Sequence, residues 1–310
     1  MVAPVYAKMA VIGCGLIGSS VVRAAREAGA VGGIAIAEAS EAARARIVEL
    51  GLADVVTGDA AEAARDADLV VFAVPVMSME AAAKAAAPGL KAGATVTDVG
   101  SVKGHVAEAL AANCPEGVFV IPGHPIAGTE RSGPDAGFAE LFQNRWTILT
   151  PAERTDAPYR EAVDRLAAFW TAIGARVEEM DARHHDLVLA ITSHLPHLIA
   201  YNIVGTAHDL EGVAEAEVMK YSAGGFRDFT RIAASDPTMW RDVFLTNREA
   251  VLEVLGRFTE DLQALSRAIR WGEGDKLFDL FSKTREIRRG IVAMGQESAE
   301  PNFGRDRGKH

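Results

Sequence analysis

Short apolar runs alternate with helical patterns through the first half of the chain. Residues 9–12, 33–37, 69–74, 95–99 and 118–121 have the length and continuity of buried strands. Between them, residues 19–28, 41–50, 79–87 and 106–112 are alanine-rich and carry helical spacing. Strands that alternate with helices predict βαβ units and a mostly parallel sheet. Residues 145–150 and 176–179 read as two further strands, separated by a helix over 159–173.

After Met180 the strand-like runs stop. Asp181 is placed to cap a helix running through Leu187, Ile191, Leu195, Leu198, Ile199 and Ile203. Asp236-Pro237 combines a capping carboxylate with proline at the first helical position, a strong start signal. It predicts one long helix in which Phe244, Val251, Phe258 and Leu265 recur every seven residues, with Val254, Leu255 and Leu262 between them. Such a stripe must be buried. Packing within one chain would serve, and the core of a homodimer is the favoured alternative. The expected organisation is an α/β domain over 1–180, an all-helical domain over 181–294 and a polar, disordered tail over 295–310.

Composition narrows the function. The chain has 310 residues, 49% of them hydrophobic, enough for a sizeable core in each domain. Its formal net charge of −10 argues against nucleic acid as a partner, because phosphate binding needs a concentrated positive surface. Cys14 and Cys114 make neither a disulfide framework nor a metal cluster. The segment before the first strand is too short for a signal peptide. No uninterrupted apolar run reaches the roughly 18 residues of a membrane span. A soluble cytoplasmic protein with no membrane partner and no metal is expected.

Val11-Ile12-Gly13-Cys14-Gly15-Leu16-Ile17-Gly18-Ser19 matches Gly-x-Gly-x-x-Gly, and here the motif follows a strand and opens a helix. Gly13 permits the tight turn, Gly15 lets a pyrophosphate approach the backbone, and Gly18 permits close helix–sheet packing. The N–H groups around Leu16, Ile17 and Gly18 then meet the diphosphate. This is the fingerprint of a Rossmann-type dinucleotide site. Glu38 lies twenty residues beyond Gly18, where a carboxylate binds the ribose 2′-hydroxyl and repels a 2′-phosphate. NAD is therefore the expected cofactor. NADP stays open, because Arg44 and Ser40 could hold a 2′-phosphate if Glu38 turned aside. Val74-Pro75, at the end of the run over 69–74, reads either as the nicotinamide flank or as an ordinary strand stop.

Four further clusters are rich in chemistry. Two sit on loops after strands: Asp98-Val99-Gly100-Ser101-Val102-Lys103-Gly104 and Gly123-His124-Pro125-Ile126-Ala127-Gly128-Thr129-Glu130. Two lie in the helical half: Ser193-His194-Leu195-Pro196-His197, and the run from Ala223-Gly224 through Asp228 and Arg231 to Asp236-Pro237 and Trp240. In this order they resemble the prephenate/arogenate (cyclohexadienyl) dehydrogenase family, over about residues 9–290. The resemblance implies a Rossmann domain, a helical dimerisation domain, a shared cleft and a small anionic cyclohexadienyl substrate.

It also implies an oxidative decarboxylation. Hydride leaves C4 of the substrate ring, the C4 hydroxyl gives up a proton, and electrons from the departing CO2 aromatise the ring. A proton acceptor must stand at the hydroxyl. His124 matches the family's catalytic histidine. Ser101 matches the hydroxyl that binds the substrate OH or orients the histidine, and it could equally cap a helix. Arg231 matches the carboxylate-binding arginine, able to grip bidentately, and could instead be a surface ion-pair partner. His197 matches a substrate-binding histidine, with His194 three residues earlier on the same helical face. Trp240 matches a substrate-contacting aromatic or is a core tryptophan. Gly224 belongs to the same substrate cluster. Glu130 and Asp228 would join Arg231 in an ionic gate, one part of it across the dimer.

Two competing readings come from other classes. A different hydroxy-acid dehydrogenase would need a catalytic lysine early in the helical domain, and there is none between Asp181 and Lys220. A non-catalytic NAD-binding sensor would not need Ser101, His124, His197 and Arg231 together. Neither a chorismate mutase segment before the Rossmann part nor a βαββαβ regulatory domain after it is expected, so any control by tyrosine is expected at the active site.

Overall fold

The structure is a computed structural model that describes residues 3–129, 131–154, 156–210 and 224–293. The proposed tail over 295–310 and Glu130 lie outside the described residues.

The first half builds β1 (Tyr6–Ile12), α1 (Leu16–Glu27), β2 (Val31–Ala37), α2 (Glu41–Glu49), β3 (Val55–Thr57), α3 (Ala60–Ala64), β4 (Leu69–Phe72), α4 (Met79–Ala86), β5 (Thr95–Asp98), α5 (Lys103–Asn113) and β6 (Phe119–Val120). All six strands are parallel, in the order β3-β2-β1-β4-β5-β6. The order reverses between β1 and β4, so a crevice opens beyond their carboxyl ends, where ligands bind in sheets of this kind. Alternation along the strands feeds two cores. Met9, Val11, Ile34, Ile36, Leu69 and Val71 face one side; Ala10, Ile12, Ala35, Val70, Phe72 and Val96 face the other.

A second sheet follows. It joins β7 (Gly123–Pro125), β8 (Trp146–Leu149) and β9 (Arg176–Glu179), with β7 antiparallel and β9 parallel to β8. The two late strands expected from sequence thus share their own sheet, with β8 at its centre and, at one edge, β7, which sequence reading took for a loop. Between β8 and β9 runs α6 (Ala157–Ala172), capped by Asp156 and packed through Val163, Leu166, Phe169 and Trp170.

The helical half opens on Asp181, whose carboxylate accepts from the N–H groups of Arg183 and His184, as expected. α7 (Ala182–Leu189) passes into a π-helical turn over Ala190–His194 and then α8 (Leu195–Leu210). Pro196 explains the wide turn: it has no N–H to give to the carbonyl four residues back, and its ring would clash there. By length and composition Ala182–Asp209 could cross a membrane, with a mean hydropathy of 1.5; the stretch buries His185, Asp186 and His194 against protein partners.

Beyond lie α9 (Gly224–Thr230), a 3-10 turn over Arg231–Ala234, α10 (Pro237–Thr246), α11 (Arg248–Trp271) and α12 (Gly274–Ala293). Asp236 caps α10 at the N–H groups of Thr238 and Met239. The long helix expected from Pro237 is two helices, broken at Asn247, which is buried and turns its side chain inward. By contacts the chain divides into one unit over residues 1–252 and another over 253–310.

Candidate active site

The glycine turn joins β1 to α1. Gly13 sits at φ +87°, and a Cβ there would meet the Ala73 carbonyl at 2.6 Å and Val74 Cγ1 at 2.8 Å. A Cβ on Gly18 would lie 2.4 Å from the Gly13 carbonyl. These two glycines are required by the protein itself. Gly15 differs: a Cβ there would meet nothing within 4 Å, so packing within the protein does not require glycine at this position. Gly15 is also the N-cap of α1 and offers no side-chain cap, which leaves the N–H groups of Leu16, Ile17 and Gly18 for an anion. These residues fit a dinucleotide pyrophosphate.

Glu38 does not turn aside. Its carboxylate accepts from the Cys14 N–H and the Ser40 N–H, each at 3.0 Å, and so stands against the glycine turn. The two residues that could have held a 2′-phosphate are engaged locally. Ser40 Oγ caps α2 at the Ala43 N–H. Arg44 Nη1 donates to the carbonyls of Glu38 and Ala39 at 2.8 Å each. Val74 and Pro75 follow β4 by two and three residues, since the strand stops at Phe72, and Val74 packs on Gly13.

At the end of β5 the buried Asp98 pairs with the buried Lys103 ammonium. Asp98 also accepts from the N–H groups of Gly100 (2.7 Å) and Gly123 (3.0 Å), while Lys103 Nζ donates to the Gly123 carbonyl at 2.6 Å. This clamp holds β7, and therefore His124, beside the carboxyl end of the parallel sheet. His124 is buried in a strand, which corrects its expected place on a loop. The reason is pairing: the strand register sets His124 opposite Ile148.

His124 Nδ1 lies 2.8 Å from His185 Nε2, and His185 Nδ1 lies 2.8 Å from Asp186 Oδ1. Asp186 also accepts from the N–H groups of Lys103 (2.7 Å) and Gly104 (2.9 Å), so it caps α5 from another helix. That role was open to Ser101, but α5 starts from Val102 without a side-chain cap of its own, and the half-buried Ser101 makes no side-chain hydrogen bond among the described residues. Burial, reinforced by His185, Lys103 and His194, holds the His124 imidazole well below the ordinary histidine value of 6.5. Burial lowers His185 as well, against the pull of Asp186. For Asp186, burial works upwards, but the hydrogen bonds from His185, Lys103 and Gly104 outweigh it and lower the carboxyl.

His197 stacks on the buried Trp240, with centroids 3.6 Å apart and planes at 23°, and its Nδ1 donates to the Ser193 carbonyl at 2.8 Å. That leaves His197 Nε2 as its open nitrogen. His194 meets Trp240 edge-on at 6.0 Å, and its Nδ1 accepts from Asn247 Nδ2 at 3.0 Å. Burial pushes His194 down to about 4. Arg231, at the turn after α9, is close enough to depress His197, although burial is the larger cause. Gly224 and Asp228 are exposed on α9.

Two family models divide the chain between them. Residues 21–179 match the nucleotide-binding domain of prephenate dehydrogenase, and residues 181–283 match its dimerization domain. The chain belongs to the prephenate dehydrogenase family. It is 45% identical to a cyclohexadienyl dehydrogenase of Zymomonas mobilis subsp. mobilis, over 92% of this chain and 96% of that one. It is 31% identical to a prephenate dehydrogenase of Bacillus subtilis, over 94% of this chain and 77% of the relative. Among solved structures, prephenate dehydrogenase from A. aeolicus in complex with hydroxyphenyl propionate and NAD+ superposes with a TM-score of 0.84 at 33% identity, covering 92% of this chain and 98% of that one. An arogenate dehydrogenase from Synechocystis superposes with a TM-score of 0.76 at 26% identity, covering 92% and 99%.

Within this prephenate dehydrogenase fold, several of the sequence-derived candidates fall into two groups in space, with His124 apart from both on β7. Gly13, Gly15, Leu16, Ile17, Gly18, Glu38 and Val74 gather at the first crevice, and His194, His197, Arg231 and Trp240 gather around one indole. Glu130 lies outside the described residues, so the expected gate with Asp228 and Arg231 stays an expectation. Sequence reading quoted Asp98 and Lys103 in a cluster without giving them a role, and missed His185, Asp186 and Asn247. All five are buried, and a charged or polar group reaches full burial only when paired. For the histidine and its neighbour, the adjacent His185-Asp186 just after a helix cap was the visible signal.

Proposed function

We propose that this protein catalyses the oxidative decarboxylation of prephenate, arogenate or both with NAD+, in tyrosine biosynthesis. The observation that carries the reading is His124: a buried imidazole, held uncharged, on a strand clamped to the carboxyl end of the nucleotide-binding sheet. A neutral imidazole there can accept a proton where hydride departs.

NAD+ bound at the glycine turn supplies the hydride acceptor. Gly13, Gly15 and the N–H groups of Leu16, Ile17 and Gly18 would hold its pyrophosphate, Glu38 would hold its ribose, and Val74 and Pro75 would flank its nicotinamide side. His124 takes the proton of the substrate C4 hydroxyl as the C4–H bond gives up its hydride. The bond from C1 to the carboxylate breaks, its electron pair enters the ring, CO2 leaves, and His124 returns the proton to the same oxygen of the aromatic product. Ser101 donates to that oxygen. Arg231 and His197 hold the substrate carboxylates, Trp240 backs the ring of His197, and His194 stands behind. Gly224 and Asp228 border the mouth.

Residues 1–180 serve as the nucleotide domain and 181–294 as the substrate and dimerisation domain of a cytoplasmic homodimer. The exposed Leu262, Ile269, Trp271, Phe278, Phe281 and Ile287 on α11 and α12 support the dimer, since single chains rarely expose so much apolar surface in one segment. The deciding experiment mixes the protein with NAD+ or NADP+ and with prephenate or arogenate and follows reduced nicotinamide by absorbance. Turnover with NAD+ is expected. Silence with both substrates and both cofactors would overturn the assignment.

A further inference from the structure

We infer that His185 and Asp186 are positioning residues that lock His124 into the one tautomer able to take a proton from substrate, through a buried His124–His185–Asp186 relay seated on the N-terminus of α5. The inference rests on the reading of His124 as the proton acceptor.

The direction of every hydrogen bond in the relay follows from its far end. Asp186 accepts backbone N–H bonds on both oxygens, Oδ1 from Lys103 and Oδ2 from Gly104, so it is an ionised acceptor with no proton to give. His185 Nδ1, 2.8 Å from Oδ1, must therefore carry hydrogen. Burial disfavours the charged form of His185, and a neutral ring with hydrogen on Nδ1 leaves Nε2 as a lone pair. That lone pair faces His124 Nδ1 at 2.8 Å, so His124 Nδ1 must carry hydrogen in turn. A neutral His124 with hydrogen on Nδ1 presents a bare Nε2, the base that the C4 hydroxyl requires.

The arrangement is fixed from several sides. Asn247 Nδ2 donates to the Asp186 carbonyl at 2.8 Å, and the rings of His124 and His185 meet edge to face, 5.1 Å between centroids. The charged and titratable groups around His124 work against its protonation: Lys103, itself paired with Asp98, and the two neighbouring histidines His185 and His194. The relay offsets this. When His124 takes the proton on Nε2, its Nδ1–H still donates to His185, and the His185 Nδ1–H still donates to the Asp186 anion. The new positive charge is thus met by a fixed negative one two bonds away, without moving a heavy atom.

Three variants test the relay: His185→Leu, His185→Gln and Asp186→Asn, with His124→Asn as the reference. His185→Leu removes the acceptor and frees the tautomer. It is expected to lower kcat by at least about tenfold, against the roughly 10²–10⁴-fold that a positioned proton acceptor contributes. Substrate KM and NAD+ affinity should stay within about threefold, because neither ligand touches His185. The acid limb of the kcat profile should shift, since His124 loses the ring that accepts from its Nδ1–H. His185→Gln, whose side-chain carbonyl accepts from Nδ1–H, should recover most of the turnover. Asp186→Asn should resemble His185→Leu, since an amide NH2 opposes N–H groups there.

Imidazole ¹⁵N spectra of the wild-type protein read the tautomer directly, and they serve even if the leucine variant fails to fold. Hydrogen on Nδ1 of His124 is expected; hydrogen on Nε2 in the neutral form overturns the relay. Wild-type kcat and an unshifted acid limb in His185→Leu, with His124→Asn inactive, also overturn the relay but leave His124 as the base. Near wild-type turnover in His124→Asn would remove the base assignment itself.

Discussion

The imidazole of His197 lies nearly flat on the indole of Trp240, 3.6 Å between centroids and 23° between planes. The stack fixes the ring, and the bond from Nδ1 to the Ser193 carbonyl fixes its rotation, so Nε2 has one direction to point. An aromatic pair of this kind contributes about 0.5–1.5 kcal/mol, so Trp240→Leu should raise substrate KM roughly two- to tenfold while Trp240→Phe changes it little. Steady-state kinetics check this. Equal KM values in all three proteins would show that Trp240 does not hold His197 in place.

Gly13 and Gly15 should part company when replaced by alanine. At Gly13 the positive φ and the carbonyl of Ala73 are both in the way, which predicts a loss of about 1–3 kcal/mol of stability. At Gly15 nothing in the protein is met, so Gly15→Ala should melt within a degree or two of wild type yet bind NAD+ about tenfold more weakly, the size of one lost close approach. Melting curves and cofactor titrations separate the two. A stable Gly13→Ala, or a Gly15→Ala with intact NAD+ affinity, contradicts the division of roles.

Cofactor choice should turn on Glu38. Replacing it with serine removes the carboxylate proposed to meet the ribose and frees the N–H groups of Cys14 and Ser40 for an anion. The ratio of kcat/KM for NAD+ over NADP+ is expected to fall by about tenfold or more, equivalent to roughly 1.4 kcal/mol. A ratio that does not move would place the discrimination elsewhere.

Arg231→Ala should act on binding before chemistry. A lost guanidinium–carboxylate contact costs about 1.5–3 kcal/mol, or roughly ten- to hundredfold in KM, with kcat changed less. Unchanged KM would show that another cation receives the carboxylate.

Acid should loosen the fold earlier than carboxylates alone would. His124, His185 and His194 are buried and depressed, His194 to about 4, whereas an unfolded chain takes up these protons near 6.5. Between those values the unfolded state binds more protons, so stability is full above pH 6.5 and declines as pH falls towards 4, by up to about 1.4 kcal/mol per pH unit for each histidine. Urea midpoints measured at intervals from pH 7 to 4 should drop across that window. A flat midpoint down to pH 5 would contradict the burial of these rings as neutral groups.

Much of this was legible along the chain because the signals were local. The apolar run 9–12, three glycines and Glu38 specify a turn whose geometry depends on few distant residues. Asp181 and Asp236 announce their helices through caps that operate within three residues. β3 and α3 were missed because three half-exposed and five alanine-rich residues carry no period to detect. The break at Asn247 was hidden because Phe244 and Val251 keep a seven-residue spacing across it, while the cause of the break is a pair of bonds to Asp186 and His194 more than fifty residues away. The strand under His124 escaped for the same reason, since its partner β8 is separated from it in sequence and it is only three residues long.

The clamp of Asp98 and Lys103 on Gly123 has a mechanical meaning. β7 shares no ladder with the six-stranded sheet, so the distance from the glycine turn to His124 is not quantised by strand register. It is set by the reach of one carboxylate and one ammonium, closed over a glycine that lets β5 and β7 come near. Lengthening or shortening a single side chain could therefore retune the gap between the glycine turn and His124 by about an ångström, where a re-registered strand would move it by whole-residue steps of about 3.3 Å.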